Sequence, residues 1–303
     1  MRSVGALLVG WWLLAAGFAC AQFDATEDAA EAFSGTLLKA RKSGTVTIAH
    51  RESSVPFSYL NTRGEPIGYS IELCRALVDA MTQAVGRELE IRWLPVTSEN
   101  RIDAITSGRA DLECGSTTNN LERSKRVAFS PTFFVSGTKL MVKRGSPIKS
   151  FRDLRGKTVV VTAGTTNEQA MKDLATRFKL EFKLVTARDH ADSFAQVADG
   201  RADAFASDDV LLYGLIARGG ARGRYDVVGE FLSYDPYGIM YRRGDPQMQK
   251  LVNETFRELA EDGEVERQYK RWFLKRLPSG EAIDLPMSAQ LESLVRAMAA
   301  KPE

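Results

Sequence analysis

Arginine and hydroxyl side chains stand where predicted strands end and predicted helices begin. Arg51 follows a strand at 45–50, and Arg101 lies at the start of a helix shortly after Ser98. A cation at a helix N-terminus opposes the helix dipole, so an arginine in that place favours a bound anion. Arginine also captures a carboxylate through two parallel hydrogen bonds. The pattern indicates recognition of an anionic ligand, with solvent-exposed arginines as the structural alternative.

A second group of polar residues belongs to further strand-to-helix turns. Its members are Ser116, Thr118, Thr166 and Asp208. Backbone N–H groups at a helix start suit a carboxylate or a phosphate, and Asp208 supplies the one acid at a strand end opposite them. Helix capping is the structural alternative for Asp208. Two pairs nearby also have capping-box spacing: Asn119 with Glu122, and Thr165 with Glu168.

One short pattern occurs twice and predicts where these groups lie. Gly-Arg-Ala-Asp stands at 108–111 and again at 200–203, each time after an apolar helical stretch and before an apolar strand. Each copy is typical of a helix, a glycine stop and a buried strand. Ligands of open α/β sheets bind at the carboxyl ends of the strands. Two similar units therefore predict a ligand in a cleft between two lobes, although so short a match also arises by chance.

Predicted helices and strands alternate through both halves of the chain. The first half contains a helix at 70–85 and a strand at 89–95, and the second contains a strand at 158–162, a helix at 166–178 and a strand at 181–186. This alternation predicts an α/β fold with mainly parallel sheets.

Composition and missing motifs exclude several classes of function. The chain has 303 residues, of which 44% are hydrophobic and 26% charged, which is ordinary for one large or two medium domains. Its formal charge of +2 gives no electrostatic case for nucleic-acid binding. The histidines, His50 and His190, and the cysteines lack zinc-site spacing, and no hydrolase elbow, phosphate loop or dinucleotide motif occurs. We predict neither a metal nor a cofactor.

Residues 1–21 are typical of a cleaved secretory signal peptide, because a cation precedes an apolar run that ends in small residues. A lipid anchor at Cys20 and an uncleaved membrane anchor are the alternatives, although the apolar run is shorter than the ~20 residues that a span needs. Export leaves Cys74 and Cys114 as a pair in an oxidising compartment. They form either a disulfide or two inert buried thiols.

Four stretches together resemble the periplasmic glutamate/aspartate-binding proteins of ABC importers. They are 50–59 (His-Arg-Glu-Ser-Ser-Val-Pro-Phe-Ser-Tyr), 97–101 (Thr-Ser-Glu-Asn-Arg), 113–120 (Glu-Cys-Gly-Ser-Thr-Thr-Asn-Asn) and 189–194 (Asp-His-Ala-Asp-Ser-Phe). The resemblance implies a two-lobed type II binding fold with hinge crossings near 133–137 and 234–238. It places the parts of the chain as follows: lobe 1 at 35–133 and 239–278, lobe 2 at 139–234, and a C-terminal tail at 279–303.

The resemblance also implies a role for each candidate site residue. Those expected to hold the ligand α-carboxylate are Thr118, Arg123 and Thr166. Those expected at the ammonium group are Asp208 and Ser116. Those expected at the side-chain carboxylate are Arg51, Ser98, Arg101 and His190.

The resemblance implies an exported solute-binding protein that closes over L-glutamate or L-aspartate and delivers it to the permease and ATPase subunits of an ABC importer. We expect a periplasmic monomer without enzymatic activity. Charge counting agrees, because three arginines and a histidine against Asp208 match a ligand with two carboxylates. The alternative is a periplasmic dehydratase of cyclohexadienyl acids on the same fold, which would need a general acid in the cleft. The sequence does not rank glutamate against aspartate.

Overall fold

The computed structural model describes residues 32–278 and 280–300, and the residues from Phe33 onward form one compact unit. The predicted signal peptide at 1–21, with Cys20, lies outside the described residues. Within the described ranges, no helix has both the length and the apolar character required to cross a membrane.

The strands are β1 (Thr45–His50), β2 (Ser53–Ser54), β3 (Ser58–Leu60), β4 (Pro66–Ile67), β5 (Glu90–Pro95), β6 (Leu112–Cys114), β7 (Val127–Phe129), β8 (Phe134–Ser136), β9 (Thr138–Lys143), β10 (Thr158–Thr162), β11 (Lys183–Ala187), β12 (Ala204–Asp208), β13 (Tyr225–Val228), β14 (Asp235–Tyr237) and β15 (Met240–Arg242). The α-helices are α1 (Gly35–Ser43), α2 (Tyr69–Val85), α3 (Arg101–Thr106), α4 (Leu121–Ser124), α5 (Thr166–Phe178), α6 (His190–Ala198), α7 (Asp209–Arg218), α8 (Pro246–Glu261), α9 (Glu264–Tyr269) and α10 (Ala289–Ala299). A 3-10 turn at Phe151–Leu154 and a π-helical turn at Lys270–Leu274 complete the helical elements of the described residues.

Two five-stranded sheets of the same design form the two lobes. The first has the order β5-β1-β6-β15-β7, and the second has the order β11-β10-β12-β9-β13. In each sheet the first three strands are parallel, and the fourth runs antiparallel to both of its neighbours. The carboxyl ends of the parallel strands carry Arg51 after β1 and Asp208 at the end of β12. The predicted α/β class is confirmed, although each sheet is mixed rather than wholly parallel.

A two-stranded ribbon joins the lobes, because β8 pairs with β14 in antiparallel register. These strands lie in the two segments where the sequence predicts hinge crossings. Aromatic rings pack around the ribbon, with Phe57 against Phe134 and Tyr237 at centroid distances of 4.9 and 5.1 Å. The ribbon is therefore continuous with the core of the first lobe. The exact lobe boundaries stay a prediction.

The repeated Gly-Arg-Ala-Asp turns are structural. Asp111 accepts a hydrogen bond from the backbone N–H of Thr47 at 2.9 Å, and Asp203 accepts one from Thr158 at 2.8 Å. In each lobe the aspartate thus ties the start of one parallel strand to its neighbour, at the edge of the sheet away from the carboxyl ends. The glycine that ends the preceding helix has positive φ in both copies, a conformation that glycine adopts without strain.

Cys74 and Cys114 form a disulfide, which is the first of the two alternatives that the sequence leaves open. The bond joins α2 to the end of β6, and both cysteines are fully buried. It therefore fixes the strand from which the turn containing Ser116 and Thr118 emerges.

The C-terminal segment carries a helix that the sequence analysis does not predict. Helix α10 packs on α8, with Leu291 and Val295 buried in the core of the first lobe. Just before this helix, Asp284 forms an ion pair with Arg222 of the second lobe at 2.9 Å. The segment therefore touches both lobes.

Candidate functional site

Arg51 and Arg101 lie buried at the carboxyl edge of the first sheet. They are 1% and 2% exposed. Both terminal nitrogens of Arg51 and the Nε of Arg101 lack a hydrogen-bond partner among the described residues. Burial and, to a smaller extent, repulsion from Arg101 lower the pKa of Arg51 to about 10. Unpaired buried donors are costly, so this pair is suited to an anion that would accept their hydrogen bonds.

Two serine hydroxyls of the first lobe lie in the same region. Ser98 precedes α3 and Ser116 follows β6, and both line the same cavity as Arg101. Each is at most 5% exposed, and each Oγ lacks a hydrogen-bond partner in the described part of the chain. A hydroxyl rotates to donate or accept, so these groups are adaptable partners for a polar ligand.

Arg123 and the threonines Thr118 and Thr166 lie where the two lobes meet. Arg123 donates to the carbonyl of Thr118 at 2.9 Å and to that of Gly164, in the opposite lobe, at 3.4 Å. The hydroxyls of Thr118 and Thr166 are 3.3 Å apart. Burial, followed by repulsion from Arg101, lowers the pKa of Arg123 to about 9. The group combines a cation, two hydroxyls and the N-terminus of α5, which together suit a carboxylate.

Asp208 supplies a buried carboxyl from the second lobe. Asn167 donates to its Oδ1 at 2.9 Å, and the phenol of Tyr237 in the ribbon donates to its Oδ2. Burial and the neighbouring Asp235 raise the pKa of Asp208 to about 8, against these two hydrogen bonds. The side chain forms no capping hydrogen bond to α7, although the residue occupies the N-cap position. A carboxylate held in this way is suited to an ammonium group, which would favour its charged form.

His190 begins α6 and is 2% exposed. Its Nδ1 lies 2.8 Å from the hydroxyl of Thr162 at the end of β10. Burial, followed by repulsion from Arg51 and Arg101, holds the pKa of His190 well below its usual range. The ring is therefore neutral at pH 7 and acts as a hydrogen-bonding group rather than as a third cation.

A small cavity lies between the lobes. Its lining includes most of the predicted site residues: Ser98, Arg101, Ser116, Thr118, Thr166, His190 and Asp208. Arg51 and Arg123 do not line it, but each interacts electrostatically with Arg101. Larger surface grooves contain none of the buried residues Arg51, Arg101, His190 and Asp208, although one of them adjoins the cavity at Thr118 and Thr166.

The two lobes are in direct contact around this cavity. Helix α7 packs so closely on the first lobe that a Cβ at Gly214 would lie 2.1 Å from the carbonyl oxygen of Val55. Arg218 of the same helix donates to the carbonyls of Glu52 and Leu60 at 3.4 and 3.2 Å. The site is thus enclosed by protein on both sides, which strengthens electrostatic interactions inside it.

Several polar residues of this region are not among the predicted site residues. Asn167, Tyr237 and Glu113 are buried beside the predicted residues. No motif marks Asn167 or Tyr237, whereas Glu113 begins one of the four stretches that carry the family resemblance. The predicted cap of α4 was also one residue early, because Asn120 rather than Asn119 accepts the N–H of Arg123. Thr165 does cap α5, by accepting the N–H of Glu168, whereas the carboxylate of Glu168 accepts the N–H of Gly164.

Two α/β lobes, a two-stranded connection and an enclosed polar cavity between the lobes define a two-lobed ligand-binding protein. Comparison with known families agrees, because residues 46–275 match the model of the bacterial extracellular solute-binding proteins, family 3. The chain belongs to this family. The expected type II periplasmic binding fold is thereby confirmed.

Characterised relatives share most of the chain. A protein of Salmonella typhimurium named glutamate/aspartate import solute-binding protein is 41% identical over 89% of this chain and 90% of its own length. The L-glutamate/L-aspartate-binding protein of Pseudomonas aeruginosa is 42% identical over 88% of this chain and 89% of its own. A solved structure of an ancestral amino-acid-binding protein, described as a precursor of cyclohexadienyl dehydratase, superposes with a TM-score of 0.68 at 30% identity, covering 78% of this chain and 99% of the other.

Proposed function

We propose that this chain captures L-glutamate or L-aspartate between its lobes and delivers it to an ABC importer. The observation that carries the proposal is the pairing of two sets of buried groups across one cavity. On one side Arg101 lines the cavity and interacts with Arg51, and both offer N–H groups that have no partner among the described residues. On the other side Asp208 offers a buried carboxyl. An acidic amino acid has the matching groups, namely two carboxylates and one ammonium.

We propose for the remaining residues the roles that the family resemblance implies, and their positions around the cavity support these roles. The α-carboxylate would bind where Arg123, Thr118 and Thr166 meet, and the ammonium would bind Asp208 with help from Ser116. The side-chain carboxylate would then face the second group, which contains Arg51, Ser98, Arg101 and His190. Glutamine or asparagine would bring no second carboxylate to accept the hydrogen bonds of the two buried arginines, and this cost disfavours the amides.

Lobe closure would couple ligand binding to a change in the conformation of the protein. Groups from both lobes surround the cavity, so a ligand bound there interacts with more protein in the closed form than in the open form. Ligand binding therefore shifts the population toward the closed form, as in hinge closure of periplasmic binding proteins generally. We propose that a membrane permease with its ATPase recognises the closed form, and that the mature chain is a periplasmic monomer.

Calorimetric titration tests this proposal. The mature chain, freed of carried-over ligand by unfolding and refolding, is titrated with glutamate, aspartate, glutamine and asparagine. We expect tight binding of at least one acid, together with losses of tenfold or more in Arg51→Met and Arg101→Met, or over ~1.4 kcal/mol. Arg109→Met, which removes an exposed arginine from the first Gly-Arg-Ala-Asp turn, is the matched control and should bind as the parent does. Binding of neither acid would refute the proposal.

A dehydratase on the same fold is the alternative, and the raised pKa of Asp208 gives it a candidate general acid. The relatives that match about nine-tenths of this chain are named as binding proteins, which favours binding without catalysis. Formation of product from prephenate or arogenate, lost in Asp208→Asn, would instead establish the enzyme.

A further inference from the structure

Glu113 is a buried carboxylate that none of the site roles above uses. It lies at the centre of β6, between Ala49 of β1 and Met240 of β15, and it is 0% exposed. Those two neighbours share an apolar cluster with Ala104 and Ile105 of α3. Because paired residues of adjacent strands point to the same face, the Glu113 side chain projects toward this apolar layer. A carboxylate in such surroundings is costly unless cations lie nearby.

The hydrogen bonds of Glu113 satisfy only part of its carboxylate. The hydroxyl of Thr117 donates to Oε2 at 2.7 Å. The other oxygen, Oε1, has no hydrogen-bond partner among the residues that the structure describes. One hydroxyl does not compensate a buried negative charge, so the compensation must come from charges around it.

The nearest candidates for that compensation are the two site arginines. A Cβ added at Gly115 would lie 2.3 Å from Oε1 of Glu113 and 3.0 Å from Cγ of Arg51, so both side chains lie against the same small residue. Burial lowers the pKa of Arg51 and of Arg101, and attraction to Glu113 opposes this effect in both. Glu113 therefore stabilises the charged form of each guanidinium.

We infer that Glu113 is the built-in counter-charge of the Arg51–Arg101 pair and sets how strongly the site discriminates an acidic side chain from its amide. Two arginines alone would present two positive charges to a ligand side chain. Glu113 offsets one of them, which leaves a net charge that a single carboxylate matches. This inference rests on the proposed function, and it identifies a positioning residue that acts through the arginines rather than by touching the ligand.

The test is the ratio of glutamate affinity to glutamine affinity in Glu113→Gln. This variant keeps the size of the side chain and the acceptor for Thr117, and it removes only the charge. The site becomes more positive, so the ratio should rise by at least about tenfold, because the loss of a unit charge in a buried region that contains both arginines changes the binding free energy of a charged side chain by more than the ~1.4 kcal/mol of one factor of ten. Glu113→Asp, which retains the charge, should keep the ratio nearer to that of the parent. Thr117→Val is the matched control, because it removes the hydrogen bond and keeps the charge.

A ratio within threefold of the parent in Glu113→Gln, or a ratio that falls, would overturn the inference. Parent protein that binds neither acid would instead refute the proposed function. Thermal unfolding of the ligand-free variants tests whether Glu113 compensates the arginines even if the proposed function is refuted. If Glu113 compensates the arginines, Glu113→Gln unfolds at a lower temperature than Thr117→Val. If the carboxylate is an uncompensated buried charge, its neutralisation raises the unfolding temperature, and the inference fails.

Discussion

Binding of glutamate or aspartate at pH 7 should release a proton from Asp208. The carboxyl is buried, and its pKa is raised to about 8 by burial and by Asp235. The ammonium group of a bound amino acid would favour the charged carboxylate and return the pKa to a low value. Ligand binding therefore releases the proton that Asp208 holds in the ligand-free protein. A change of pH should reveal this release as a change in affinity.

The magnitude follows from the pKa. A group with a pKa of about 8 holds about 0.9 proton at pH 7, so nearly one proton leaves for each ligand bound. Between pH 6 and pH 8 the affinity should rise roughly 50-fold, or ~2.3 kcal/mol. The stability of the ligand-free protein has the opposite trend. The unfolded chain loses this proton near pH 4 and the folded chain keeps it to about pH 8, so this group's contribution to stability falls as the pH rises between those values.

Calorimetry in buffers of different ionisation enthalpy measures the released protons directly. The slope of the observed heat against the buffer enthalpy should give about 0.9 proton at pH 7 for the parent. Asp208→Asn should show no release and much weaker binding. Asp209→Asn is the matched control, because that neighbouring acid bonds Ser136 and does not line the cavity. Release of fewer than about 0.3 proton, or equal release in Asp208→Asn, would refute the reasoning.

Three further predictions concern closure, covalent stability and the environment of Asp208. Gly214→Ala would place a methyl group against the opposite lobe and should lower glutamate affinity tenfold or more without lowering the unfolding temperature of the ligand-free chain; unchanged affinity would contradict the contact. Replacing Cys74 and Cys114 by serine opens a link across 40 residues and should cost ~4 kcal/mol in urea unfolding, whereas a loss under ~1 kcal/mol would show that the bond contributes little. Asn167→Leu removes a donor that favours ionised Asp208, so the pH at which affinity levels off should move upward, and an unmoved profile would contradict this role.

The sequence predicts local structure well where local chemistry decides it. The strand at 158–162 and the helix at 166–178 agree with β10 and α5 at every boundary, because a buried apolar run and a threonine cap mark them. The sequence placed Asp208 at a strand-to-helix turn but did not predict the extent of α7, because the residues of this helix are buried on nearly every side, which removes the helical period of apolar and polar positions. The predicted strand at 181–186 begins two residues early relative to β11.

The site residues likewise divide into those that the sequence predicts and those that only tertiary structure reveals. The groups at strand and helix ends, such as Arg101 and His190, could be predicted because their places in the elements are visible in the sequence. The contact between Tyr237 and Asp208 could not, because it joins a connecting strand to a strand of the second lobe that only tertiary folding brings together. Glu113 begins one of the stretches that carry the family resemblance, but its position beside Arg51 at Gly115 could not be predicted, because it depends on the packing of β6 against the end of β1.

The aspartates of the two repeated turns fix the register of the strands that carry the binding residues at the opposite end of each sheet. Asp111 fastens the start of β6 to β1, and Asp203 fastens the start of β12 to β10. Sliding one strand past its neighbour by a single residue would invert which face every later side chain occupies. In the first lobe, such a slip would carry Ser116 out of alignment with Arg51. Ligand specificity therefore depends partly on residues at the ends of the sheets farthest from the ligand. A substitution there would alter binding although the residue does not contact the ligand.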